Sequence, residues 1–455
     1  MDNNTRLALN ITDTRLEFDP DPKYKSQPMS REMTDKGEAN VWHCVLTYEM
    51  TCPKCSTVMS RNGYKSVMYQ SAQNGTSLIF FKIKKQKYIC KCCKNTELAE
   101  LSNIRKGDHL FRDVKQIIAM QIEENMSMTT IAKINNVSSN TVIRSILGLA
   151  CYIKPSFHYL SRNIAFDDFK SGKFAKSGYS LLLMNIETHQ PIDVISDRGD
   201  YSLEKYFLRY SPAARAAVRT VTVDLFSSYR STIQKVFPNA IIIADHFHVV
   251  VQAFKGLNQL RIKVMKSFKY GSPEYRQLNR FWKLIMKSES DLNRSDRYKR
   301  RNFKNLQLTD DEVVNRLLSL SEELRAAYNF YQDLIFIIHN QSSERLKTLL
   351  WPEDDKNSAI LPQEMDAAIK TLRKHFEEII NSFKTKYCHF STGPVEECNN
   401  KIKVIKRTAY GFRNFYHFKI RILIAFKNSF YSKNFISLTK QQKTANSPTT
   451  EKLAA

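Results

Sequence analysis

Asp167, Asp224 and Glu396 are carboxylates placed where the sequence changes texture. Asp167 lies in the strand-like run "IAFDDFK", Asp224 ends the run "RTVTVD", and Glu396 opens the helical stretch "VEECNNKIKVIKR". Singly, an acidic side chain is more often a solvated charge than a ligand. Together, three of them can hold two divalent cations roughly 3.5–4 Å apart, which act on the attacking and leaving oxygens of a phosphodiester. A set of hard oxygen ligands selects Mg2+ or Mn2+. Each carboxylate has a rival. Asp168 adjoins Asp167, but alternation along a strand sends the two to opposite faces. Asp245, ending "NAIIIAD", belongs to a strand one further from the first and ranks below Asp224. His248 follows it, and a lone histidine reads first as structural. Glu397 doubles Glu396.

A second constellation is thiol. "CPKC" (Cys52, Cys55) and "CKCC" (Cys90, Cys93) each offer a C-x2-C pair, with a loop of 34 residues between them. Two such pairs complete the four-thiolate tetrahedron of structural zinc, which has no open position for catalysis. Cys92 is an alternative ligand, and Cys44 is read as a spectator.

Two surfaces suit nucleic acid. "MTTIAKINNVSSNTVIRSI" has the helix, short turn and second helix of a DNA-reading motif. Ile131, Ala132, Ile134, Val137, Val142 and Ile146 form its expected core, with Ser138 or Ser139 capping the second helix. Ser139, Asn140, Thr141 and Arg144 then face outward, where such side chains contact bases or phosphates. Behind Glu396, Lys401, Lys403, Lys406, Arg407, Arg413, Lys419 and Arg421 run without an acid, as phosphate contacts do. Ile402, Ile405, Phe412, Phe415 and Phe418 are expected to pack inward. Trp282 reads as core, and Asn399 and Asn400 are left between orienting Glu396 and touching DNA.

The elements that position these residues follow a definite order. Residues 1–45 are polar and patternless and read as a flexible arm. The stretch "SLIFFKIKKQKYIC" reads as strand within a cysteine module, 46–98, and helices follow. From 164 the pattern is β-β-β-α-β-α-β, after which 250–385 is helical and basic. Within it, residues 255–304 hold fifteen Lys and Arg against four Asp and Glu. The 455-residue chain carries 70 Lys+Arg and 45 Asp+Glu, a net charge of +25 that calls for a polyanionic partner. Hydrophobic residues at 42% exclude wholesale disorder. No run reaches the roughly 18 apolar residues of a membrane span, and the N-terminus lacks the pattern of a signal peptide. A cytoplasmic, nucleoid-associated protein with reduced thiols is therefore expected.

Four blocks, "FDDF" (166–169), "VTVDLFSSY" (221–229), "FPNAIIIADHFHVV" (237–250) and "VEECNNKIKVIKRTAYGFRNFYHFKIRIL" (395–423), resemble the ISL-three family of bacterial insertion-sequence transposases, of the DDE class. The cysteine pairs and the helical DNA-reading segment precede them in family order. The resemblance implies a multidomain α+β protein: a zinc-binding β module and a helix-turn-helix, then a ribonuclease-H-like α/β catalytic domain split by a helical insertion. The expected boundaries are 46–98 for zinc, 99–158 for the helix-turn-helix, 159–256 with 385–435 for the catalytic domain, 257–384 for the insertion, and 436–455 for a mobile tail. By position, the first acid falls on Asp167, the second on Asp224 and the third on Glu396. The family pattern has Gly where this chain has Glu397. The implied cofactors are two Mg2+ or Mn2+ ions and one structural Zn2+. The implied partners are double-stranded DNA, both element ends and target, and a second copy of the chain. A non-catalytic DNA-binding protein, either a regulator or an inactivated transposase, would bind DNA with its zinc but without cutting it, and a structure-specific nuclease would cut without joining. A simple nuclease needs neither the zinc module nor the long insertion.

Overall fold

The computed structural model describes residues 1–426 except 103, 125, 151, 152, 154, 226, 353–360, 385, 386, 388, 389, 410 and 411. The chain divides into two compact units, one made of residues up to 154 and from 402 on, the other of 155–401.

The first unit is built on a six-stranded sheet. Its strand β1 (Gly37–Leu46) pairs with the short strands Leu16–Phe18 and Met29–Thr34. Strand β2 (Ser60–Gln70) runs antiparallel to β3 (Leu78–Ile89), and β3 runs parallel to β1. The run "SLIFFKIKKQKYIC" therefore does form a strand. The segment read as a flexible arm does not stay free, because strands from 16 to 46 are woven into this sheet. Its burial pattern is hidden in sequence by polar neighbours. Ala39, Val41, Cys44 and Leu46 are buried, and so is His43, whose Nε2 shares a 2.8 Å hydrogen bond with Ser30 Oγ.

Three helices follow: α1 (Arg112–Glu123), α2 (Met128–Ile134) and α3 (Ser139–Leu149). Ser138 is the cap that starts α3, its hydroxyl accepting from Thr141 N at 3.2 Å. Ile131, Ala132, Val142 and Ile146 are buried as expected. Ile134 is exposed instead, and Val137 is half-buried. Asn135 occupies the buried position one turn after Ile131, and its Nδ2 donates to Ile131 O at 2.8 Å.

The second unit holds a five-stranded sheet of β4 (Asn163–Lys170), β5 (Tyr179–Asn185), β6 (Gln190–Ile195), β7 (Thr220–Val223) and β8 (Ile241–Ala244). The spatial order is β6-β5-β4-β7-β8. The first three strands form an antiparallel meander, whereas β4, β7 and β8 are parallel. Ile164, Phe166, Leu181, Leu183, Val221 and Val223 join one apolar cluster on one face. Helix α4 (His246–Ser267) starts immediately after β8 and packs against α5 (Gln363–Lys374). The two backbones touch so closely at Gly256 that a Cβ there would stand 2.8 Å from Glu364 O. The region 257–384, expected as a separate insertion, shares a continuous apolar cluster with Leu225 and Ala244, and Trp282 packs against that cluster.

Helix α6 (Phe376–Ser382) follows α5, and α7 (Gly393–Thr408) begins in the second unit. Helix α8 (Phe415–Phe426) packs on α1 and α3 of the first unit. The expected segment 385–435 is thus shared between the units rather than held in one. The expected tail, 436–455, lies outside the described residues. Among the described residues, no helix is long and apolar enough to cross a membrane.

Candidate active site

Parallel pairing decides where the aspartates fall. In the β4–β7 ladder Thr220 is opposite Asn163 and Thr222 opposite Ala165, a constant offset of 57 residues. The same offset carries Asp224 level with Asp167. In the β7–β8 ladder Val223 is opposite Ala244, which carries Asp245 level with Asp224. Three aspartates thus line up just past the parallel pairing, at the carboxyl ends of β7 and β8 and within β4, which runs on to Lys170, along the edge where open α/β sheets bind ligands. Alternation puts Phe166 in the core and Asp167 on the other face.

Asp167, Asp224 and His248 each place a ligand atom within 4.8 Å of the others. Burial, and then the Asp224 charge, push the Asp167 carboxyl up to about 6. Asn399 Nδ2 donates to Asp167 Oδ2 at 2.9 Å and to Asp168 O at 3.2 Å. The buried Asn399 Oδ1 has no hydrogen-bond partner. Asn399 therefore serves the sheet, a role the sequence reading left open; Asn400 is exposed. Asp168 faces away and pairs with Arg198.

Asp245 is spent differently. It is 2% exposed and caps α4, its Oδ2 taking Nδ1 of His248 at 3.0 Å, while Oδ1 accepts from Thr392 N at 3.0 Å. Burial alone would raise its pKa, but the hydrogen bonds from His248 and Thr392 hold it below the usual value. The hydrogen bond to Asp245 in turn raises that of His248. Thr392 directly precedes α7, so Asp245 ties the start of that helix to the sheet, and Asn399 ties its second turn.

Glu396 and Glu397 both lie exposed on this first part of α7. Glu396 is outside the 4.8 Å group. It stands three residues before Asn399, and side chains at that spacing share a helix face about 5–6 Å apart. His248 is the residue the sequence reading undervalued. Its signal was the spacing Asp-x-x-His directly after a strand, because a capping aspartate brings the third helical residue back to the strand end.

The four sulfurs of Cys52, Cys55, Cys90 and Cys93 also lie within 4.8 Å of one another. Cys52–Cys93 and Cys55–Cys90 are 3.4 Å apart, and Cys55–Cys93 3.6 Å. A tetrahedron with Zn–S bonds of about 2.3 Å has edges of about 3.8 Å. The two loops have the same backbone bonds. Cys52 N donates to Thr57 O and Cys90 N to Asn95 O, both at 2.8 Å. Ser56 and Lys94 take matching positive φ values of 55° and 60°. The donor set and its size fit zinc. Cys92 is not in the group, and Cys44 is buried, its thiol pushed up to about 12. The double substitution Cys52→Ser/Cys55→Ser is expected to lower zinc from one equivalent to none by metal analysis; unchanged zinc would reject the site.

The sequence profile of the ISL3-type DDE transposases, described as transposase, matches residues 164–422, more than half of the chain. The chain belongs to that family. The matched span takes in both aspartates, His248, Glu396 and Asn399. The transposase for insertion sequence element IS1001 of Bordetella parapertussis is 23% identical over 267 residues, 58% of this chain and 60% of that protein. A protein of Lactococcus lactis subsp. lactis described as an ATP-dependent protease is 38% identical over 122 residues, 27% of this chain and 37% of that protein. The chain thus matches less than two thirds of the length of either relative.

The other residues singled out for this transposase-family chain are placed as follows. Ser139, Asn140 and Arg144 are exposed at the start of α3, and Thr141 is half-buried, accepting from Arg144 Nη2 at 3.1 Å. Lys403, Arg407 and Arg413 are exposed, and Lys401 and Lys406 half-buried. Ile402, Ile405 and Phe418 are buried, and Phe412 packs on Phe418 with ring centroids 4.8 Å apart. Arg421 is no phosphate contact. It is buried and donates to the carbonyls of Ile122, Glu124 and Met126.

Proposed function

We propose that this chain is the transposase of a bacterial insertion sequence, binding the terminal inverted repeats of its element and catalysing phosphodiester hydrolysis and strand transfer. Asp167, Asp224 and Glu396 are its catalytic carboxylates. The observation that carries the reading is the level pair Asp167–Asp224 on adjacent parallel strands, where burial, and then the Asp224 charge, hold the Asp167 carboxyl at about 6. Two like charges so close call for a cation, and the unpartnered Asn399 Oδ1 beside them marks the same place as polar. The strand order, with the first and fourth strands adjacent at the centre, supports a ribonuclease-H-like domain.

When bound, divalent cations supply positive charge to the oxygens of the scissile phosphodiester. The chain's residues do the positioning. Asn399 holds Asp167, Asp245 anchors the start of α7, and Glu396 stands one turn before Asn399 on that helix. Helices α2 and α3 form a helix-turn-helix presenting Ser139, Asn140, Thr141 and Arg144 to DNA, and Lys401, Lys403, Lys406, Arg407 and Arg413 hold phosphates. The cysteine module, closed by zinc, is structural. Synapsis of two element ends calls for a dimer.

A strand-transfer assay with the element's own ends in Mg2+ or Mn2+ tests this. Joined product is expected, falling at least about a hundredfold in Asp167→Ala, Asp224→Ala and Glu396→Ala while end binding persists. Binding without cleavage would replace the proposal by a DNA-binding regulator, and cleavage without joining by a nuclease. Activity lost in Asp245→Ala but kept in Asp224→Ala would move the second ligand.

A further inference from the structure

We propose that His248 is a nitrogen ligand of the divalent cation held by Asp167 and Asp224, with Asp245 as the group that orients its ring. The inference rests on the metal-dependent reading above and adds a residue to it. A ring nitrogen of His248 lies within 4.8 Å of carboxylate oxygens on both aspartates. Nδ1 is committed to Asp245 Oδ2 at 3.0 Å, which leaves the lone pair of Nε2 for the centre. A carboxylate that takes one ring N–H so that the other nitrogen faces a metal is the recurring support for histidine ligands.

Asp245 is suited to orient and not to coordinate, because both of its oxygens are engaged and it is 2% exposed. The ring is also fixed from below. His248 is the third residue of a 22-residue helix whose cap is Asp245 itself, and the close contact at Gly256 locks that helix against α5. His246, two residues earlier, provides the contrast. Its Nε2 is engaged with Ser382 Oγ at 2.7 Å, and its ring packs on Phe383, so it belongs to the core. One histidine of the pair is held by a hydroxyl in the interior, and the other is aimed at two carboxylates.

An imidazole among oxygens makes the centre softer, so it should prefer Mn2+ over Mg2+ by more than a carboxylate set does. The test uses the full zinc-loaded chain without DNA, with sub-stoichiometric Mn2+ read by electron spin echo envelope modulation. Nitrogen coupling to Mn2+ is expected in the unmodified protein, changing to the 15N pattern on labelling with 15N-histidine. His248→Gln should abolish the coupling and weaken Mn2+ binding about tenfold or more, and His246→Gln should keep the coupling. His248→Asp, which restores an oxygen ligand, should bind Mn2+ without nitrogen coupling and narrow the Mn2+/Mg2+ preference. Mn2+ bound without nitrogen coupling in the unmodified protein, or coupling that survives His248→Gln, overturns the histidine ligand and leaves the carboxylate centre standing. Mn2+ binding that is absent, or indifferent to Asp167→Asn and Asp224→Asn together, overturns both.

Discussion

Arg421→Met is expected to destabilise the unit formed by residues up to 154 and from 402 on by about 3–5 kcal/mol, the cost of leaving three backbone carbonyls without their donor. Helix α1 ends without a basic residue in its last turn, so its terminal carbonyls lack the usual positive complement. Arg421 supplies it from α8, donating to Ile122, Glu124 and Met126 while itself 3% exposed. Methionine keeps much of the stem's volume but leaves three carbonyls without their donor, each a desolvation cost of about 1–3 kcal/mol before relaxation. Calorimetry should show the transition of this unit moved down by about 8–15 °C, with the other unit's transition unchanged. Lys419→Met, on the same helix and half-buried, is the control and should shift it by no more than about 1–2 °C. Equal shifts in the two variants would mean that the carbonyls find water and that α8 is merely packed. Because α2 and α3 lie in the same unit, end binding should weaken with the melting shift in Arg421→Met.

That arginine also shows where sequence reading stops. In the run from Lys401 to Arg421 every cation looks like a phosphate contact, since pattern records the sign of a charge and not its partner. Arg421 is withdrawn from solvent by carbonyls about 300 residues earlier, a pairing with no local trace. The aspartates were legible for the opposite reason. Strand "IAFDDFK" carries its acids in mid-run and "RTVTVD" ends in one, and parallel register repeats the offset of 57 along the ladder. Asp245 lies on the same level, and sequence ranked it below Asp224 only for standing one strand further out. Only its hydrogen bonds to His248 and Thr392 reveal it as an anchor. The strands before residue 46 were missed because their buried positions include His43, which a polarity pattern counts as surface. The cysteine pairs were legible because their chemistry is local: each knuckle closes within six residues through its own backbone bonds.

Asp167→Asn is expected to abolish strand transfer and, in metal-free protein, to raise stability at neutral pH. Burial and the neighbouring Asp224 hold the Asp167 carboxyl up to about 6 in the folded chain, against about 4 when unfolded. Between those values the folded state keeps a proton that the unfolded chain has released. The contribution of this group is therefore most favourable below about pH 4 and is lost as pH rises through about 6. His248 acts in the same direction, since its raised pKa favours the folded state until the ring deprotonates. Metal-free protein should thus lose melting temperature from pH 5 to pH 7.5, by an amount on the order of 1–2 kcal/mol from Asp167. Saturating Mg2+ should remove the slope, because a cation between the carboxylates replaces the proton and stabilises the folded state by mass action. Asparagine keeps an oxygen for Asn399 Nδ2 while removing the charge that faces Asp224. The variant should therefore melt higher than the parent at pH 7.5 without metal, gain less from Mg2+, and show a flatter pH profile. A lower metal-free melting temperature in Asp167→Asn would mean that the carboxylate pair is relieved by other contacts and is not poised for a cation.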